Sequence, residues 1–223
     1  MGRLKELSAL ARSTDETDRK DAALDLGDMG GIEATIELAR LISDRSPSVR
    51  EAAVEALVNI GGEESCFAVI PLLGSESVPE RNAACEVLQS IGADALSPLV
   101  GDPLRSPNAD VRKFAVDVVA NMRDLDPSAR AKALRAIAAR LEDESENVAI
   151  AAAEALGRIG DGGSDALSLA TAALAGASTW KQCALLQAIG QLAGRAHLAG
   201  LDRSCLRQES AAFLDSLLSA EAS

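Results

Sequence analysis

A short stretch that ends in an apolar residue followed by glycine recurs along the chain at a nearly constant interval. It reads EALGRIGD at residues 154–161, and earlier versions read EALVNIGG at 55–62, EVLQSIGA at 86–93 and DVVANMRD at 117–124. The residues at the closing position are Gly30, Gly61, Gly92, Arg123, Gly160 and Gly190. Their successive separations are 31, 31, 31, 37 and 30 residues. A period in this range predicts an array of short repeats, each packed only against its neighbours.

Upstream of each closing residue, the apolar positions share one face of an α-helix. The positions one, four and seven residues before it are apolar in all six repeats, and the fourth-before position holds Leu26, Leu57, Leu88, Val119, Leu156 and Leu186. Eight residues before it, the first five repeats have Ala22, Ala53, Ala84, Ala115 and Ala152, which would let a neighbouring helix approach closely. These spacings predict one buried stripe per helix. The closing glycine is predicted to adopt the left-handed conformation that ends a helix.

A second helix is expected after each closing residue, for example at 32–42, 65–73, 127–141 and 165–175, with Gly162 and Gly163 as a helix stop. Polar turns lead into the next repeat. The chain is therefore predicted to be all-α, a right-handed α-solenoid (an alpha-alpha superhelix) of about six helical hairpins in one domain over residues 1–223. The predicted repeats span 14–43, 46–74, 77–105, 109–142, 146–175 and 178–201, with capping helices at 3–12 and 203–220.

Charge and residue types exclude several classes of function. A net charge of −12 argues against a general nucleic-acid binder. With one His and no CxxC pair among four cysteines, we expect neither a metal site nor a cofactor, and we expect reduced thiols in a cytoplasmic protein. Cys85 and Cys183 hold apolar-stripe positions, whereas Cys66 and Cys205 are expected to be more exposed. No apolar run is long enough to span a membrane.

An arginine stands eleven residues before the closing position in four repeats: Arg19, Arg50, Arg81 and Arg112. With the alanine pair that follows, this produces PSVREAAVEALVNIGG at 47–62 and PERNAACEVLQSIGA at 79–93. The pattern resembles HEAT repeats over roughly residues 14–201, and it is most similar to the short bacterial and archaeal HEAT-like repeats also found in phycobilisome lyases. The resemblance implies that the four arginines form an inter-repeat ladder of hydrogen bonds. That ladder would stop where Ala149 and Thr179 take the arginine position.

Members of this family are mostly binding scaffolds, and a fold alone does not supply a reaction. We therefore expect a non-catalytic scaffold or adaptor that presents a concave helical surface to a protein partner. A cationic segment at 105–140 is the first candidate surface, where Arg130, Lys132, Arg135 and Arg140 would receive an acidic partner segment. The alternative is an ordinary solvated helix face.

Ile150 and Trp180 form the second candidate surface. Ten residues before the closing position the first four repeats are polar, whereas the fifth and sixth have these two apolar residues. Either the C-terminal segment covers them, or they form an exposed contact for a partner or for a second copy of the chain.

Two alternatives to the scaffold remain from the sequence. A phycobilisome lyase-like protein or another small-ligand chaperone would need a deep pocket between second helices. A homo-oligomeric structural module would associate through Ile150 and Trp180.

Overall fold

The computed structural model describes residues 2–160 and 164–219, and their regular secondary structure is entirely helical. This confirms the all-α fold class built from repeated helical hairpins. The predicted helix stop at Gly162 and Gly163 and the last residue of the predicted C-terminal helix lie outside the described residues. The chain divides into two compact units, unit 1 over 1–103 and unit 2 over 104–223. The single domain over 1–223 stays a prediction.

Unit 1 contains α1 to α7 and alternates the first and second helices of each repeat. The helices are α1 (Gly2–Leu10), α2 (Glu16–Met29), α3 (Ile32–Leu41), α4 (Pro47–Ile60), α5 (Gly62–Val69), α6 (Val78–Ile91) and α7 (Leu96–Val100). The first helices α2, α4 and α6 pack in succession, and the second helices α3 and α5 pack beside each other. Each unit-1 repeat thus adds one helix to each of two layers.

Unit 2 repeats this arrangement. They are α8 (Ala109–Ala120), α9 (Pro127–Ala138), α10 (Glu146–Ile159), α11 (Ser164–Ala172), α12 (Thr179–Ala199) and α13 (Gln208–Ser219). The first helices α8, α10 and α12 pack in succession, with α9 and α11 against α10. The C-terminal helix α13 packs on α12.

The predicted apolar stripe forms the core of both units. The fourth-before residues Leu26, Leu57, Leu88, Val119, Leu156 and Leu186 are all fully buried. The five alanines that lie eight residues before the closing position are also fully buried: Ala22, Ala53, Ala84, Ala115 and Ala152. Close helix packing around alanine explains how a chain with few aromatic residues fills its interior. The stripe is less buried one residue before the closing position of the first three repeats, where Met29 is 36% exposed and Ile60 and Ile91 are half-buried.

The predicted helix stops are only partly right. Gly30 has φ 63° and ψ −174°, and Gly61 and Gly92 also combine positive φ with more extended ψ. Such backbone is largely restricted to glycine, but it is not the left-handed helical conformation that we expected. Gly160 has φ −66° and needs no glycine-specific backbone. In the fourth repeat α8 ends at Ala120, before the closing position, and Asp124 rather than Arg123 takes positive φ.

The sixth repeat shows a register error of the sequence analysis. The first helices have N-caps at Asp15, Ser46, Ser77, Asn108, Ser145 and Ser178. In the first five repeats the closing position lies 15 residues after the N-cap, whereas Gly190 lies 12 residues after Ser178. Gly190 is helical, and the break comes at Gly194, whose φ of 73° and ψ of −178° match those of Gly30.

The position of Gly190 is one of close packing. Gly27 and Gly157 also lie 12 residues after their N-caps. A Cβ atom on Gly27 would lie 2.8 Å from the Ala56 Cβ, and one on Gly157 would lie 3.0 Å from the Ala188 Cα. On Gly190 it would lie 3.0 Å from a methyl carbon of Leu198. The absence of a side chain at these positions, rather than a helix stop, is what the packing uses.

This register changes two sequence-based assignments. Gln182, not Thr179, lies four residues after the N-cap, where the first four repeats have their arginine. Cys183, not Trp180, is the counterpart of Ile150. Trp180 instead belongs to the first turn of α12.

Several boundaries and burials also differ from the predictions. The second helix of the second repeat stops at Val69 and continues as a 3-10 helix, Ile70–Gly74, since Pro71 has no N–H for an α-helical bond. In the third repeat α7 is only five residues long. The predicted C-terminal cap begins at Gln208, after a 3-10 turn at Arg203–Cys205. Cys66 is fully buried, whereas Cys85 and Cys183 are partly exposed.

Candidate partner-binding surfaces

In the first five repeats, the turns that lead into the first helices share one side-chain hydrogen bond. The residue two positions before the N-cap accepts a bond from the N-cap N–H. The acceptors are Ser13 (3.1 Å), Asp44 (2.8 Å), Ser75 (3.1 Å), Ser106 (3.2 Å) and Asp143 (2.9 Å). We call this residue the turn acceptor. Sequence reasoning missed it, although an Asp or Ser two residues before each of the first five N-caps is a readable signal.

The four arginines that carry the resemblance to HEAT repeats all contact these turns. The Nη1 of Arg19, Arg50, Arg81 and Arg112 donates to the backbone carbonyl of the turn acceptor of its own repeat. Two of them also bind the turn acceptor of the next repeat where that residue is an aspartate. Arg19 holds both carboxylate oxygens of Asp44, at 2.7 and 2.9 Å. Arg112 holds Asp143 in the same way, at 2.9 and 2.7 Å.

The Arg19–Asp44 and Arg112–Asp143 ion pairs are largely buried, and both burial and pairing shift the pKa values of the two aspartates. The side chains of Arg112 and Asp143 are 5% and 2% exposed. The bond from Arg19 lowers the pKa of Asp44 below its ordinary value. Burial alone would raise the pKa of Asp143, but the bonds from Arg112 and the Ser145 N–H outweigh it and lower that pKa. Both aspartates are therefore charged structural groups that hold successive repeats together.

In the sixth repeat, Gln182 replaces the arginine and binds the C-terminal segment. It is 1% exposed. Its Nε2 donates to the carbonyls of Leu174 (3.0 Å) and Cys205 (2.8 Å), and its Oε1 accepts from the Arg207 N–H at 2.9 Å. The Nε of Arg207 in turn donates to the Ala177 carbonyl at 2.9 Å. The segment before α13 is thus attached to the turn that leads into α12.

The cationic segment is divided between internal bonds and surface. Arg130 is half-buried and donates to the Ile159 carbonyl at 2.9 Å, at the C-terminal end of α10. Arg140 is also half-buried and donates to the Leu104 carbonyl at 3.0 Å. Lys132 and Arg135 are exposed on α9. Lys132 and Arg135 are therefore the exposed cations of α9.

Trp180 is 72% exposed, although α13 packs on the helix that carries it. The C-terminal segment therefore does not cover Trp180, and its role as a contact for a partner or for a second copy of the chain stays a prediction. Ile150 is half-buried in α10, the first helix that packs against α12.

Unit 1 exposes a further set of apolar side chains, which the sequence analysis did not identify. Ile32, Ile36 and Phe67 are 58%, 45% and 59% exposed on the second helices α3 and α5. A signal was available in the sequence, because each lies off the buried face of its helix.

None of three cavities formed by the described residues lies between second helices, where a small-ligand chaperone would need one. An open cavity of about 500 Å³ lies beside Arg12, Arg19 and Arg45, where turns meet the end of α3. Grooves of about 420 and 260 Å³ lie between first helices, α4 and α6 in one case and α10 and α12 in the other.

Among the described residues, no three His, Cys, Asp or Glu side chains are grouped so that they could hold a metal ion. None of the described helices has both the length and the apolarity to cross a membrane.

Comparisons with known proteins agree with the repeat architecture. A family model described as HEAT repeats matches residues 4–89 and 97–190. Comparison with curated proteins finds no match.

Solved structures similar to the chain include natural and designed repeat proteins. A crystal structure of an engineered protein is 22% identical, with a TM-score of 0.43, covering 86% of this chain and 97% of its own. Human deoxyhypusine hydroxylase in complex with glycerol is 19% identical, with a TM-score of 0.45 and coverage of 86% and 85%. A designed armadillo repeat protein in complex with the peptide (KR)4 is 21% identical, with a TM-score of 0.38 and coverage of 97% and 98%.

Proposed function

The chain belongs to the HEAT repeat family, and we propose that it acts as a non-catalytic scaffold that binds a protein partner. The observation that carries this proposal is the exposure of Trp180, at 72%. Exposing a large aromatic side chain to water is unfavourable, and tryptophan is enriched among the residues that dominate binding energy in interfaces. This is the only tryptophan in the chain.

The position of Trp180 suits a contact rather than a structural role. It stands in the first turn of α12, where the counterparts in the first five repeats are Thr17, Ser48, Pro79, Asp110 and Asn147. None of these is a large apolar residue. A substitution of Trp180 should therefore leave the core of unit 2 intact while it removes the contact.

Affinity purification from the native cell, with mass spectrometry, tests the proposal. We expect Trp180→Ala to lose the partner that the wild-type chain recovers. Leu169→Ala, which truncates an exposed apolar residue on α11, is the matched control and should recover it. Equal recovery by wild type and Trp180→Ala would contradict the proposal.

A more specific version of this function is that α9 binds an acidic segment of the partner. Lys132 and Arg135 are exposed and would supply the charge, whereas Arg130 and Arg140 would hold α9 in place through their internal bonds. Lys132→Glu/Arg135→Glu should lower partner recovery, and Arg123→Glu, an exposed cation outside α9, should not. Unchanged recovery with the α9 double variant would reject this form.

A second copy of the chain is the other candidate occupant of the surface around Trp180. In that case light scattering should show a dimer whose dissociation is promoted by Trp180→Ala. A monomer at high concentration would reject self-association.

A further inference from the structure

The exposed faces of α3 and α5 carry apolar side chains in equivalent places. Ile36 follows the buried pair Ala34 and Thr35, and Phe67 follows the buried pair Ser65 and Cys66. Because α3 and α5 pack beside each other, Ile36 and Phe67 belong to one row across the second helices. Ile32 lies one helical turn before Ile36 and widens the apolar surface.

An acidic row accompanies the apolar one. Glu33 and Glu64 precede the same buried pairs, and Asp94 precedes the buried pair Ala95 and Leu96. Glu33, Glu64 and Asp94 are all exposed. Burial, together with the smaller effect of the charges of Asp94 and Glu63, raises the pKa of the Cys66 thiol to about 11. The carboxylate of Asp94 therefore acts at α5 as well as on its own repeat.

Few cations compensate these acids. Unit 1 has nine Lys and Arg against nineteen Asp and Glu, a net charge of −10. Between residues 51 and 102 the sequence contains a single cation, Arg81, which lies on the first helix α6. On α3, Arg40 bonds Glu37 at 2.9 Å. At the N-terminal end, α1 carries Lys5, and Arg3, which pairs with Asp25.

We propose that this surface, which we call the acidic face, binds an amphipathic helical segment of a partner protein that carries Lys and Arg beside its apolar side chains. The acidic face consists of Ile32, Glu33, Ile36, Glu64, Phe67 and Asp94. The proposal rests on the scaffold function and names the chemistry of one partner segment.

The spacing of the rows favours a helix that crosses α3 and α5. Packed helices lie about 8–10 Å apart, and residues i and i+7 of a helix are separated by about 10.5 Å. Apolar residues at this interval on the partner would contact Ile36 and Phe67 in turn. Its lysines and arginines would then lie beside Glu33 and Glu64, where complementary charge fixes the register and speeds association.

Fluorescence anisotropy with the full-length chain and three labelled peptides tests the proposal. The first peptide has Leu at helical spacing and Lys elsewhere, the second has Glu in place of Lys, and the third has Ser in place of Leu. We expect the Leu/Lys peptide to bind at least about tenfold more tightly than either of the others, and more weakly as salt is added. Equal binding of the Leu/Lys and Ser/Lys peptides would overturn the proposal, because it would show charge attraction alone.

Matched variants locate the site on the protein. Glu33→Lys/Glu64→Lys should weaken binding of the Leu/Lys peptide about tenfold more than Glu55→Lys/Glu86→Lys, which makes the same charge change on exposed residues of first helices. Phe67→Ser should also weaken it, whereas Val78→Ser, at a similarly exposed apolar residue of α6, should not. Equal loss with the two double variants, or unchanged binding with Phe67→Ser, would overturn the proposal.

The result is separable from that of the scaffold experiment. Trp180-dependent recovery of a partner together with no binding of the Leu/Lys peptide would reject the acidic face alone. Loss of both would reject the scaffold function as well.

Discussion

Asp143 shows how a single side chain can join two repeats. Its carboxylate is 2% exposed, accepts two hydrogen bonds from Arg112 and accepts another from the Ser145 N–H. A buried charge is tolerated when it is paired and hydrogen-bonded, and removing one partner leaves the other unpaired. Asp143 therefore contributes to stability only while it is ionised.

This contribution should disappear in acid. The folded pKa of Asp143 is lowered, so its stabilisation is present above the unfolded pKa of about 4 and is lost as pH falls through the folded value. We expect Asp143→Asn to reduce the free energy of unfolding by about 2 kcal/mol at pH 7. Urea unfolding should show this difference shrinking below about pH 4.

Glu154→Gln, at an exposed carboxylate of α10, is the control for the Asp143 experiment. It should leave the free energy of unfolding nearly unchanged at both pH values. The same difference between wild type and Asp143→Asn at pH 7 and in acid would contradict the assigned role of the carboxylate.

Ser65 is also a buried polar residue, but it differs from Asp143 in its lack of side-chain hydrogen bonds within the described part of the chain. Its hydroxyl is fully enclosed in α5 and has no hydrogen-bond partner among the described residues. Ala34 holds the equivalent place in α3. Ser65→Ala should therefore raise the free energy of unfolding by about 1 kcal/mol, since it removes an unsatisfied group without changing the shape of the core.

Thermal or urea unfolding measures the Ser65 effect, with Ser90→Ala on the exposed side of α6 as the control. A destabilised Ser65→Ala protein would show that the hydroxyl has a partner in solution.

Among the elements, α12 is the one whose repeat register sequence reasoning placed wrongly. Gly190 and Gly194 lie one helical turn apart, and both follow apolar residues in a glycine-rich stretch. Only the packing distinguishes them, because Gly190 faces Leu198 whereas Gly194 adopts a backbone that other residues rarely enter.

Alanine substitutions should separate the two glycines. Gly194→Ala forces a Cβ into positive φ and should lower the free energy of unfolding by about 2 kcal/mol. Gly190→Ala should cost less, since the flexible tip of Leu198 can move and alanine favours the helix by about 1 kcal/mol. Urea unfolding of both variants measures the difference, and a larger loss with Gly190→Ala would support a helix end at residue 190 instead.

Across the whole chain, acidic charge is concentrated in unit 1, with a net charge of −10 against −2 in unit 2. Repulsion among exposed like charges is screened by salt, whereas buried pairs such as Arg112 and Asp143 are screened much less. Added salt should therefore weaken the repulsion among exposed acids more than it weakens the attraction within buried ion pairs.

We expect the midpoint of urea unfolding to rise as NaCl is increased from about 10 to about 100 mM, which shortens the Debye length from about 30 to about 10 Å. Glu51→Lys/Glu55→Lys, at exposed acids of α4, should reduce this dependence. A midpoint that falls with salt would show that surface ion pairs outweigh the repulsion.

The sequence by itself determined the hairpin repeats and their core. The residues that form the stripe are close in sequence and follow helical spacing, so the burial of Leu57 or Ala84 can be read locally. The closing positions of the first five repeats could be predicted for the same reason. The candidate surfaces were less accessible, because exposure depends on what other elements cover.

The tertiary structure alone decided the contacts between distant residues. Arg19 and Arg112 meet aspartates that lie 25 and 31 residues away. Half of the predicted cationic surface, Arg130 and Arg140, bonds backbone carbonyls, and Trp180 remains exposed beside a C-terminal helix that could have covered it. The acidic face depends on two helices that lie side by side only after the repeats have stacked. Local periodicity specifies which side of a helix is buried, but only the packed neighbours determine which polar groups are bonded and which apolar groups are left for a partner.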